Sequence, residues 1–164
     1  MTDNNLMKKL NGMLADGLVF YQKLRHYHWE VQGQQFFRLH EKFEEMYDQW
    51  NGWNDDLAER IMTLGGRPVA TLKQALEMSS LEEDESVPNG ETMVSNLLGD
   101  MNVHVENFNQ GIKAADKVSD YGTADMLTGM LRDLQKTGWM LRSFLNQQQK
   151  TADKVSHERV AAMA

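Results

Sequence analysis

The stretch HYHWEVQGQQFFRLHEKFEE, residues 26–45, sets His28 and His40 twelve residues apart with Gly33 between them. Upstream of it, Leu6, Leu10, Leu14, Leu18, Tyr21 and Leu24 recur at three- and four-residue steps. That is one apolar stripe on a helix running from about Asn4 to Val31. Extended by four residues, the stripe reaches His28. The polar run Gln32-Gly33-Gln34-Gln35 breaks it. Downstream, Phe36, Phe43, Trp50, Leu57 and Leu64 step by seven, with His40, Tyr47, Asn54 and Ile61 interleaved. This pattern predicts a second helix from about Phe36 to Leu64, stopped by Gly65-Gly66 and Pro68.

Residues 67–90 change character. TLKQALEM suits a short helix, whereas SSLEEDESVPNG is acidic and rich in turn formers. So long a connection is unusual between adjacent antiparallel helices. Two further helices are expected, over about Glu91–Lys117 and Thr123–Gln149, joined around Ser119-Asp120-Tyr121-Gly122. Strand-like alternation is hard to find, and the 164 residues include 12 Met and only 2 Pro. The reading is one all-α domain over 1–164, a ferritin-like four-helix bundle with a short helix in its long crossover. Short loops throughout would instead suggest an up-down bundle. Residues 1–5 and 150–164 are expected to be flexible tails.

A formal charge of −7 disfavours strong nucleic-acid binding by the body of the domain, because phosphate affinity needs clustered Lys and Arg. The absence of Cys excludes disulfides and thiolate sites. The opening MTDNNLMKKL lacks the pattern of a signal peptide, and no apolar run approaches membrane-spanning length. A cytoplasmic setting is the expectation.

DDLAERIMTLGGRP, residues 55–68, adds Asp55 and Glu59 to the second helix. Taken singly, each candidate has a plainer reading. A His on an apolar stripe is more often a hydrogen-bonded core residue than a ligand. Asp55 and Glu59 also suit solvent or a partner such as Arg60 or Lys42. Trp29, Trp50 and Trp53 also suit packing. Taken together, imidazoles and carboxylates match iron, manganese or zinc rather than magnesium or calcium. The usual di-iron bundle draws an E-x-x-H motif from each of two helices, and this sequence contains none.

Helix geometry suggests a different assembly. His40 and Asp55 point within about 60° of each other around one helix but lie about 22 Å apart along it. One metal ion, with ligands near ~2 Å, cannot touch both within one chain. Antiparallel pairing of this helix with its copy, crossing near residue 48, sets His40 of one protomer opposite Asp55 and Glu59 of the other. Twofold symmetry then makes two such sites. His28 completes the set across the short turn.

The residues H28-W29-x3-G33, F37-x-L39-H40-E41-x-F43-E44 and D55-x3-E59-R60-x3-L64-G65-G66-x-P68 closely resemble the Dps family of mini-ferritins, the DNA-binding proteins from starved cells. The likeness covers nearly the whole chain. It implies a hollow homododecamer with an Fe2+/Fe3+ di-iron ferroxidase centre at each twofold interface. His28 and His40 come from one subunit, and Asp55 and Glu59 from its partner. Glu44 matches an auxiliary acid that is often Asp in relatives. Trp29 resembles an aromatic that intercepts oxidising equivalents near the iron; packing alone also explains it.

The implied reaction oxidises Fe2+, typically with hydrogen peroxide and otherwise with dioxygen, and deposits a ferric oxide-hydroxide core. That couples storage to protection of DNA. Glu41, Glu45 and Asp48 fall about 80–140° around the helix from His40. They either nucleate mineral in the cavity or are ordinary solvated acids. Asp116, Asp120 and Asp125 match a region that lines threefold iron-entry pores in relatives, with helix capping or surface charge as the alternative. Tyr121 and Gly138 stand where relatives often carry an acid and a His.

The rival function is compaction of DNA as a nucleoid-associated protein with secondary iron binding. Relatives that do this commonly use mobile Lys- or Arg-rich tails. Here only Lys8 and Lys9 lie near the N-terminus, and the stretch from Gln147 onward is nearly neutral. A twelve-copy shell would carry about −84, which repels phosphate. A third option is an iron-free structural bundle on the same fold.

Overall fold

The computed structural model describes residues 4–162, with side chains described through residue 148. Five helices account for the ordered elements: α1 (Asn4–Glu30), α2 (Phe36–Thr63), α3 (Leu72–Met78), α4 (Gly90–Lys117) and α5 (Tyr121–Ala162). No strand occurs among the described residues. α1 packs along α2 and α4 along α5; α1 also meets α4, and α3 lies against α1. The result is an all-α four-helix bundle with a short extra helix in the crossover.

The core follows the sequence stripes. Leu10, Phe20, Leu24 and Tyr27 of α1 meet Phe43, Trp50, Leu57 and Ile61 of α2, with Met93, Leu97 and Phe108 of α4 and Leu127 of α5 closing the interior. Burial of such large apolar side chains, each worth about 1.5–3 kcal/mol, is what drives the four long helices together.

The helix ends are chemically specified. Gly33 (φ 95°) carries the chain round after α1. α2 ends in a Schellman motif: the Gly65 N–H bonds the Met62 carbonyl and the Gly66 N–H bonds that of Ile61, with Gly65 left-handed (φ 78°). α4 closes in the same way, with Ser119 (φ 58°) holding the left-handed position. Thr71 and Asn89 cap α3 and α4 through bonds from the Gln74 and Thr92 N–H groups.

The last helix differs most from its expected bounds. It starts at Tyr121 rather than Thr123, because the Asp120 carboxylate caps it by accepting the Thr123 N–H at 3.1 Å. It continues to Ala162 rather than ending at Gln149. Backbone helix therefore runs through most of the expected C-terminal tail. At the other end, α1 already includes Asn4 and Asn5. The remainder of both expected tails, 1–3 and 163–164, lies outside the described residues.

The crossover is pinned by polar contacts. Asp16 of α1 is buried and accepts four hydrogen bonds, from the Ser79 hydroxyl, the Ser80 N–H and hydroxyl, and the Asn107 amide. Nearer the end of α1, the Tyr27 hydroxyl donates to Asp84, and Lys23 pairs with Asp100 at 2.6 Å. The turn that carries His28 is thus tied to the crossover and to α4.

Candidate metal centre

α1 and α2 run antiparallel, so a step of seven along one is matched by a step of seven along the other. His28 therefore faces His40, and Tyr21 faces Tyr47. The two imidazoles stack with ring centroids 3.7 Å apart and planes 19° off parallel. Each Nδ1 lies within hydrogen-bond distance of the other residue's backbone carbonyl, 2.7 Å from His28 to His40 and 2.8 Å in return. A carbonyl only accepts, so both Nδ1 atoms carry the proton and both Nε2 lone pairs are left for a cation. The fixed tautomer is the arrangement seen around metal-ligating histidines.

Glu44, one turn beyond His40, joins them. His28, His40 and Glu44 each offer a ligand atom, all within 4.8 Å of one another, and they are the group of this kind found among the described residues. His28 is buried, His40 half-buried and Glu44 exposed, so the group opens outward. Phe36 stacks on His40 at 4.9 Å, and Tyr47 stands nearly perpendicular to His28 at 5.3 Å. Burial first, then the charge and hydrogen bond of Glu44, raise the Tyr47 phenol above its ordinary range.

Asp55 and Glu59 are exposed and lie outside this group. α2 is continuous from Phe36 to Thr63, so its rise of about 1.5 Å per residue holds them far from His40 in the same chain. Trp29 is 57% exposed, with the Arg25 guanidinium 4.9 Å from its ring. It is not a packed core residue.

The outlying acids divide. Glu41, Glu45 and Asp48 are exposed, and Glu45 pairs with Lys42 at 2.9 Å. Asp116 and Asp125 are exposed as well. Asp120 instead caps α5 and pairs with Arg60. Burial alone would raise its pKa, but the bonds from Thr123 and Arg60 outweigh that and hold it below the usual carboxylate range. Asp120 fills the capping role that the sequence left open.

Two features escaped the sequence. Tyr47 read as one more core position; its spacing of seven from His40 was the available signal. His104 of α4 is fully buried between Phe20, Trp50 and Phe108, and neither ring nitrogen has a hydrogen-bond partner. Burial pushes its imidazole down to about 3, and the Lys23 charge adds to the effect. Nothing in its spacing marked it.

Residues 7–151 match the family model described as a ferritin-like domain. DNA protection during starvation protein 2 of Bacillus anthracis is 41% identical over 145 residues, 88% of this chain and 99% of that protein. The crystal structure of Dps from Staphylococcus aureus superposes with a TM-score of 0.85 at 38% identity, covering 88% of this chain and 97% of that one. A Dps protein of Vibrio cholerae O1, described as a member of a broad superfamily of ferritin-like diiron-carboxylate proteins, gives 0.84 at 33% identity, covering 86% and 89%.

Proposed function

The chain belongs to the ferritin-like domain family, and within it to the Dps mini-ferritins; on that premise we propose that it oxidises and stores iron at centres shared between two protomers. The observation that carries this reading is the division of donors along α2. Two imidazoles and one carboxylate gather at its start, while Asp55 and Glu59 stand exposed in its last third. A pair of α2 helices crossing antiparallel near residue 48 would set His28, His40 and Glu44 against the partner's Asp55 and the partner's Glu59. Phe37 and Met62, apolar side chains left uncovered on the His40 side of α2, suit a surface that a second protomer covers.

Fe2+ is the substrate. His28 and His40 present bare Nε2 atoms, and the carboxylates favour the higher charge of Fe3+. Two ferrous ions held together each give up one electron to hydrogen peroxide. The O–O bond breaks, two protons are taken up and two waters form, so no hydroxyl radical is released. Dioxygen is the alternative oxidant. Ferric ions then hydrolyse to an oxide-hydroxide inside a hollow homododecamer, which keeps Fenton chemistry away from DNA. In this reading Glu41, Glu45 and Asp48 nucleate mineral, and Asp116, Asp120 and Asp125 line the entry pores. Trp29, exposed beside His28, takes up stray oxidising equivalents. The reading places the protein in the cytoplasm; no helix among the described residues is long and apolar enough to cross a membrane.

The test adds ferrous iron anaerobically, then peroxide, and follows near-ultraviolet absorbance. Asp55→Ala with Glu59→Ala should slow oxidation and leave the oligomer intact. Oxidation at the parental rate would reject the site.

A further inference from the structure

Tyr47 is the residue that bridges the donors of one chain. It lies seven residues after His40 and three after Glu44, which puts all three on one side of α2. Its ring stands 5.3 Å from His28 at 87° and 6.1 Å from Tyr21 at 89°. Tyr21 supports it from α1, and the Tyr21 hydroxyl accepts a hydrogen bond from Arg25 at 3.3 Å. Glu44, three residues back on the same side of α2, bears on the Tyr47 phenol and helps to raise it above its ordinary range.

We propose that Tyr47 is a positioning residue for the cation centre, packing on His28 with its ring while its hydroxyl steadies the Glu44 carboxylate. The need comes from Glu44 itself. His28 and His40 are locked by their reciprocal bonds, whereas Glu44 is exposed and has a long side chain. Serving as third donor costs it rotamer freedom. A hydroxyl on a ring clamped between His28 and Tyr21 removes part of that cost before any cation arrives. Groups that hydrogen-bond a ligating carboxylate typically change metal affinity by about 10–100-fold. The proposal rests on the iron reading above for the identity of the cation, but its three donors belong to a single chain.

Titration of the full-length apo protein with Co2+, by calorimetry and by the d–d absorption of the bound ion, tests it. Tyr47→Phe keeps the ring and removes only the hydroxyl. It should weaken Co2+ binding about 10-fold and move the absorption band toward that of Glu44→Gln. The Glu44→Gln/Tyr47→Phe double variant should bind no more weakly than Glu44→Gln, because the hydroxyl acts through the carboxylate. Tyr47→Leu, which also strips the ring from His28, should bind more weakly than Tyr47→Phe. A Tyr47→Phe titration and spectrum matching the parent, or additive losses in the double variant, overturn the proposal. Asp55→Ala/Glu59→Ala separates it from the shared centre. Parental Co2+ binding by that variant would reject the sharing, and in that background Tyr47→Phe must still weaken Co2+ binding if the positioning role holds.

Discussion

His28 and His40 hold each other: their rings stack at 3.7 Å, and each Nδ1 donates to the other's backbone carbonyl. The acceptors are main-chain atoms at the end of α1 and the start of α2, so the pair is as rigid as the hairpin. With Nδ1 committed to a carbonyl, Nε2 is the nitrogen that each ring has left for a cation.

If the partner supplies Asp55 and Glu59, complementation follows. His28→Ala/His40→Ala chains and Asp55→Ala/Glu59→Ala chains should each be inactive alone. In a mixed pair, one of the two sites regains every donor. Random co-assembly in equal amounts should therefore restore about a quarter of the parental iron-oxidation rate. No recovery in mixtures shown to contain mixed oligomers would argue against a shared centre.

His104 makes the fold acid-sensitive. Its folded pKa, near 3, lies below the ordinary 6.5. Above pH 6.5 both states are neutral and its contribution is fully present. Below that, the unfolded chain takes a proton that the native chain refuses, and stability falls by about 1.4 kcal/mol per pH unit until roughly pH 3. Denaturant unfolding at pH 7 and pH 5 should show His104→Phe losing about 2 kcal/mol less than the parent over that interval.

Asp16 anchors the crossover through four accepted hydrogen bonds. Asp16→Ala should destabilise the protomer by about 2–3 kcal/mol. Amide exchange should speed up most over residues 79–89 rather than in α2. Uniform acceleration across the bundle would contradict a local anchor.

Ser119 occupies a left-handed position (φ 58°) at the end of α4. Ser119→Gly relieves that strain at some cost in chain entropy. A net gain of about 0.5–1 kcal/mol is expected, read as a higher unfolding midpoint. Ser119→Val at the same site should move the midpoint the other way.

The four long helices and the seam between the first two were legible because both depend on local periodicity. A spacing of twelve with a glycine between is enough to make His28 face His40, and one helical rise is enough to part His40 from Asp55. Other features depended on which elements meet. The reciprocal histidine bonds arise from two chain segments that only the hairpin brings into register. Glu44 and Tyr47 come near His28 only across that same seam. Arg60 reaches Asp120 over sixty residues of chain and pairs with it, and His104 is walled in by rings from α1, α2 and α4. Periodicity sets which way a side chain points; what it touches is set by packing, and it is the contacts that decide which polar groups are satisfied, which are stranded and which stand ready for a cation.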